Sequence, residues 1–392
     1  MNTAQQGVVT LLKSAVTGAA LKLPDNFSLE DEFVKETIKK HHLSTLVYAG
    51  ALNCGISKES PFMKSLFKAY YKHTLRSEQQ MLIVKSVFDA FDKNGIDYLP
   101  TKGCNMKALY PKPELRLMGD ADITVRKNQL NLISQILENM GFTKSHEDDN
   151  NVNWDKGALH MEIHLRMKSF YQKDYYSDVW SKVKPVAGHR YTFNTEDTFI
   201  HLFNHFARHY RSGGIGIRHV LDLYVYRMKN PDMDEKYIYR EMCVLKLQDF
   251  YKNVLSLLDV WFGDGESSEA TDLISDTILQ SGSWGNVTSH VLSKEVTKAN
   301  KKGELSSSRR KLVVSSLFPP KSYMAVNYKV VERYPFLLPL FWVIRGVEVL
   351  ISRPKKFRST VRAWKNIDDK KVSEKQRQLK MVGLDLTDDE SN

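Results

Sequence analysis

Met118-Gly119-Asp120-Ala121-Asp122-Ile123-Thr124-Val125 sets two carboxylates two residues apart at the head of an alternating apolar run. On a β-strand that spacing turns both side chains to one face, while Ala121, Ile123 and Val125 turn to the other. Converging carboxylate oxygens are what a hard divalent cation requires, since magnesium takes carboxylates, waters and substrate phosphates. Asp-x-Asp by itself is a common pair, so its surroundings decide the reading.

Downstream, Leu159-His160-Met161-Glu162-Ile163-His164-Leu165 alternates in the same way. The period of two puts His160, Glu162 and His164 on one face and the apolar residues in a core. If this strand lies beside the first, Glu162 completes a trio with Asp120 and Asp122 able to hold two metal ions for in-line phosphoryl or nucleotidyl transfer. His164 and His160 are expected to hydrogen-bond neighbouring acids rather than bind metal. Upstream, Lys102-Gly103-Cys104 follows a predicted strand and offers a lysine for a triphosphate and a glycine for close backbone approach. Arg116 could neutralise phosphate charge through its planar fork.

Around these motifs the periodicity changes twice. Residues 1–94 are predicted helical, with Ser28 and Asp31 resembling a capping box and Met81, Val84, Phe88 and Phe91 at helical spacing before Gly95. Residues 95–166 form an α/β core, with strands expected at 96–100, 121–125, 142–145 and 158–165, a helix at 130–140, and a turn at 147–151. Residues 167–300 are predicted to be a helical region closing a cleft over that core. A weak linker at 300–308 leads into residues 301–392, a C-terminal helical extension with a basic tail. The fold class is therefore α+β: a small mixed sheet flanked by extensive helical regions.

The order Lys102-Gly103, Arg116, Gly119-Asp120-x-Asp122, then Glu162-x-His164, resembles the uncharacterised nucleotidyltransferase family of bacteria, within the polymerase-beta-like superfamily. The likeness continues through His201-Leu-Phe-Asn-His205-Phe-Ala-Arg-His209 and Gly213 to Asp222, covering roughly residues 30 to 350. It implies a nucleotidyltransferase with Asp120, Asp122 and Glu162 as catalytic, metal-binding residues, Mg2+ or Mn2+ as cofactor, and a nucleoside triphosphate such as ATP as donor. It implies Lys102, Gly103 and Arg116 as nucleotide-binding residues. The acceptor is left open: a hydroxyl or phosphate of a small molecule, glycan precursor or peptide. The chain departs from the superfamily's usual Gly-Ser, because Lys102-Gly103-Cys104 stands there and sixteen residues separate Gly103 from Asp120. Two other readings keep the fold: toxin-antitoxin-like modification of a protein or RNA, and a non-catalytic nucleotide-binding scaffold.

His201, His205 and His209 recur every four residues, so on a helix capped near Asn194 or Thr195 they form one stripe. A zinc or iron site is conceivable, but without a His-Glu-x-x-His pattern they read as lining the cleft; Arg218 and Asp222, four residues apart, read as a helix pair or, as the family resemblance implies, as cleft residues.

Bulk properties bound what else the chain does. Three widely spaced cysteines, in no Cys-x-x-Cys pair, imply neither a disulfide framework nor a zinc site and fit a reducing cytoplasm. The N-terminus lacks the pattern of a secretory signal and reads as a helix. The apolar stretch 335–351 is shorter than a bilayer needs and contains Arg345 and Glu348, so it is expected to be a buried terminal helix, with a helix lying in a membrane interface as the alternative. Residues 353–380 carry eleven Lys/Arg against three Asp/Glu, so most of the +11 net charge is a tail property. That tail could touch an anionic membrane or an acidic partner, which places the protein in the cytoplasm with a peripheral role at the inner membrane face as an option. No base-reading motif or aromatic platform supports stable nucleic-acid binding.

Overall fold

The Asp-x-Asp strand and the Glu-x-His strand are neighbours in one mixed sheet. The computed structural model describes residues 1–169, 171–283, 289–293, 296, 318–321, 324, 328–352 and 369–384. It contains two compact units, one of residues 1–208 and 216–283 and the other of residues 209–215 and 284–392.

In the first unit the strands are β1 (Tyr98–Thr101), β2 (Asp120–Val125), β3 (Thr143–Glu147), β4 (Asn151–Lys156), β5 (Leu159–His164), β6 (Val183–Ala187) and β7 (Arg190–Phe193). Their order is β3-β4-β5-β2-β1-β7-β6. The β2–β5 and β1–β7 pairs are parallel; β1–β2, β3–β4, β4–β5 and β6–β7 are antiparallel. Three strands differ from the sequence expectation. β4 begins at the end of the expected turn: its buried Val152 and Trp154 are separated by polar Asn153, too sparse an apolar pattern to read as a strand. β6 and β7 form a hairpin at 183–193, in a stretch expected to be helical.

The helices are α1 (Thr3–Thr17), α2 (Glu32–His41), α3 (Ser44–Asn53), α4 (Pro61–Lys93), α5 (Gly103–Met106), α6 (Leu130–Asn139), α7 (Thr195–Arg211), α8 (Ile217–Lys229), α9 (Glu235–Val244), α10 (Gln248–Phe262) and α11 (Glu269–Ser281). The cap of α2 is Asp31, whose side chain accepts from Val34 N–H, rather than Ser28. One face of the sheet is apolar. Ala121, Ile123, Val125, Met161, Ile163 and Trp154 pack there with Val84, Val87 and Phe91 of α4 and Ile133 and Leu137 of α6. Alternation then leaves Asp120, Asp122, Glu162 and His164 on the opposite face.

His41 ties three helical elements together. Its Nε2–H donates to the Leu279 carbonyl (3.1 Å), and the Ile217 N–H donates to its Nδ1 (3.2 Å). Both ring nitrogens are thus used by a neutral imidazole. Burial, aided by the nearby Lys40 and His42 charges and opposed by the Leu279 bond, lowers its pKa to about 4. In the unfolded chain the value is about 6.5. The stability this difference represents is intact above about pH 6.5 and is lost as pH falls toward 4, up to ~3 kcal/mol. Denaturation midpoints of His41→Gln should therefore vary less between pH 7 and 4 than those of the native protein; equal slopes would show that His41 does not titrate this way.

In the second unit the described helices beyond the end of α7 are α12 (Lys329–Arg333), α13 (Leu338–Ser352) and α14 (Asp369–Met381). The sequence expectation of a buried terminal helix is corrected here: α13 packs one apolar face and exposes another. Trp342 donates to the Pro319 carbonyl and meets Phe318 edge-on, and Phe341 meets Tyr328, while Leu340, Val343 and Val347 are exposed. Among the described residues no helix is long and apolar enough to cross a membrane. The linker at 300–308, residues 353–368 of the basic tail and the acidic end from 385 lie outside the described residues.

Candidate active site

The register of the strands builds the site row by row. Thr101, Asp122, Glu162 and Asn153 form one row across β1, β2, β5 and β4. Thr124, His164 and Asn151 form the next, and Asp120, His160 and Asp155 the one on the other side. One donor atom each from Asp122, Glu162 and His164 lies within 4.8 Å of the others, the metal-competent group among the described residues. Asp120 is not part of that group; it sits one row away, opposite His160.

Asp122 is almost wholly buried. Lys102 Nζ lies 2.6 Å from its Oδ1, and His164 Nε2 lies 2.9 Å from the same oxygen and 3.6 Å from Glu162 Oε2. Burial would raise the Asp122 carboxyl, but the Lys102 ammonium and the His164 imidazole prevail and hold it well below the usual carboxylate range. Glu162 goes the other way: burial, then the Asp122 and Asp120 charges, push its pKa up. His160 lies between two acids, with Nδ1 2.6 Å from Asp155 Oδ1 and Nε2 3.8 Å from Glu162 Oε1.

Lys102 reaches Asp122 from a strained position. It lies between β1 and α5 with φ 47° and ψ −114°, a conformation that favours glycine and costs ~1–3 kcal/mol in other residues. Beside it, a Cβ on Gly103 would stand 2.8 Å from Arg116 Nη1 and 2.9 Å from Met118 Cγ, so glycine is required by close approach. Cys104 is buried, with its thiol pushed up to about 12 by burial and by Asp122, and so is inert.

Arg116 does not come to the pocket. It is 5% exposed and forms a fork with Asp222, Nε to Oδ1 at 3.3 Å and Nη2 to Oδ2 at 2.8 Å. Tyr110 donates to the same Oδ1 at 2.8 Å. Asp222 is therefore not paired simply with Arg218 along α8; Arg218 donates to the Leu117 carbonyl at 3.1 Å.

A pocket of about 320 Å³ opens over Glu162 and His164. Lys102 and Thr101 line one end, and His201, Asn204, His205 and Arg208 of α7 contribute a wall, with Arg166 and Lys168 completing the rim. The expected His201 and His205 are thus brought to the site, whereas His209 belongs to the second unit. Burial, then the Lys102 charge, drives His201 to a pKa of about 3, so the ring is neutral. Arg166, Lys168, Asn204 and Arg208 escaped the sequence reading. Arg166 and Lys168 merely continue the two-residue step of Glu162 and His164, and Arg208 follows His205 by one helical turn.

The chain belongs to the family described as uncharacterised nucleotidyltransferase, whose profile matches residues 29–263. It is in that general sense a nucleotidyl-transferring protein. A solved antibiotic-resistance factor, ANT(2'')-Ia, is similar at 12% identity and TM-score 0.33, over 47% of this chain and 97% of that one, too remote a likeness to carry an argument. No curated protein matches the chain.

Proposed function

We propose that the chain moves a nucleoside monophosphate from a nucleoside triphosphate to a hydroxyl or phosphate of an acceptor, using Mg2+ or Mn2+ held by Asp122 and Glu162. The observation that carries this is the direct pairing of Asp122 and Glu162 on adjacent parallel strands beneath an open pocket. The donor set fits a divalent ion: two carboxylates and an imidazole within reach of one another, with Asp120 in the adjoining row. His164 enters this reading as a third ligand, which favours Mn2+ more than an all-oxygen set would. When bound, the ion would neutralise phosphate charge and lower the pKa of the acceptor hydroxyl.

The chain's own residues do the rest. The acceptor oxygen forms a bond to the α-phosphorus, the bond from that phosphorus to the bridging oxygen breaks, and pyrophosphate leaves. The Glu162 carboxylate oxygen that does not hold the ion takes the acceptor's proton. Lys102, poised at the end of β1, stabilises the departing pyrophosphate. Arg116, committed to Asp222, packs against Gly103 instead. A cytoplasmic location remains part of the proposal, as does the option of peripheral contact through the basic tail.

Incubating the protein with labelled nucleoside triphosphates, Mg2+ or Mn2+, and cell extract tests the reading. Label should enter one class of molecule, and Asp122→Asn or Glu162→Gln should slow it more than ~100-fold, beyond the loss typical of residues that only support a metal ligand. Label in small metabolites, protein or RNA identifies the acceptor class. Equal labelling by the variants would remove both residues from the chemistry.

A further inference from the structure

The pocket carries more positive charge than the donor's leaving group explains, and the excess sits on one side. This argument rests on the proposed transfer reaction, in which leaving pyrophosphate and incoming acceptor occupy opposite sides of the phosphorus. β2 lies between β1 and β5. Lys102 approaches Asp122 from the β1 side; Glu162 and His164 stand on the β5 side. The acceptor therefore enters over β5.

That side is lined by cations. Arg166 and Lys168 follow Glu162 and His164 along the chain, and Arg208 faces the same pocket from α7. All three are exposed at its rim, and none forms an ion pair with a described residue. Among the described lining residues the one acid is Glu162, on the floor. A second observation points to a ligand as well. His201 Nε2 is buried and has no hydrogen-bond partner among the described residues, although the ring borders this pocket. An unmatched buried nitrogen is destabilising until a polar group meets it.

We infer that the acceptor is itself an anion, carrying a phosphate or carboxylate that Arg166, Lys168 and Arg208 hold while its hydroxyl reaches Glu162. β5 ends at His164 and the chain bends at Leu165 and Arg166, so Arg166 and Lys168 follow the strand's end by two and four residues. With arginine side chains reaching back, the anionic group lies about one sugar or amino-acid unit from the reacting hydroxyl. A pocket of about 320 Å³ accommodates a ligand of that size. His201, kept neutral, hydrogen-bonds the body of the acceptor rather than its charge.

Calorimetry on the whole chain, saturated with Mg2+ and an α,β-methylene nucleoside triphosphate chosen from the four bases, tests this. The probes are glucose 6-phosphate, glucuronate and glucose, so phosphate and carboxylate are separated from each other and from the neutral ring. At least one anionic probe should bind ten-fold or more tighter than glucose. The double variant Arg166→Gln, Arg208→Gln should erase that preference while leaving the analogue's affinity within two-fold. Equal binding of anionic and neutral probes would overturn the inference. So would a variant that weakens the analogue as much as the probe, since the cations would then hold the donor's phosphates. Failure of every analogue to bind the native protein would instead strike the transfer reaction itself.

Discussion

Asp222→Asn should destabilise the first unit by about 3–5 kcal/mol, the loss expected when one partner of a buried ion pair is removed. Arg116 and Asp222 are 5% and 3% exposed, so the guanidinium left behind has no route to water. Its surroundings make matters worse. Lys107, 1% exposed, donates to the Arg116 carbonyl at 2.8 Å, and burial together with the Arg116 charge already lowers its pKa to about 8. Arg218 is lowered to about 10 by burial and by the same neighbour. Taking away the Asp222 charge leaves three cations to repel one another, and Tyr110 loses its charged acceptor. The double variant Arg116→Met, Asp222→Leu should recover part of the loss, because the guanidinium left without its carboxylate is removed as well. Denaturant titration decides: a single variant within 1 kcal/mol of the native protein would mean that the pair contributes little.

Lys102→Met should tighten Mn2+ binding by the nucleotide-free protein ten- to a hundred-fold. The Lys102 ammonium occupies the cation position on Asp122 Oδ1 at 2.6 Å. A divalent ion placed about 4 Å from it would be repelled by ~8 kcal/mol at an effective dielectric constant of ~20. The lysine must therefore move away, and the broken charged hydrogen bond costs ~1.5–3 kcal/mol. That energy corresponds to the predicted range at 1.4 kcal/mol per ten-fold. The variant without metal should melt lower than the native protein, because Asp122 then lacks its main counter-charge, and Mn2+ should restore it. Unchanged or weaker Mn2+ affinity would show that Lys102 does not compete for the site.

What the sequence revealed follows from the range of each interaction. Asp120 and Asp122, and Glu162 and His164, were legible because a strand's period of two fixes which residues share a face. The neighbouring of β2 and β5 followed from the family resemblance. β4 was missed because Asn151, Asn153 and Asp155 outnumber its two buried apolar residues. The commitment of Arg116 was invisible, since its partner Asp222 is 106 residues away and no local pattern links them. His164 was read as a supporting group; its approach to both Asp122 and Glu162 depends on side-chain geometry that alternation alone does not give. The cations at 166, 168 and 208 carried the same periodic signal as the motif residues, but charge on an exposed face is common and did not single them out.

Mn2+ titration followed by electron paramagnetic resonance tests the central claim most directly, because it reads ion binding without any acceptor. The native protein should take up Mn2+ saturably, and Asp122→Asn and Glu162→Gln should each weaken uptake by more than ~100-fold. Equal uptake by all three proteins would place the ion elsewhere and contradict the account.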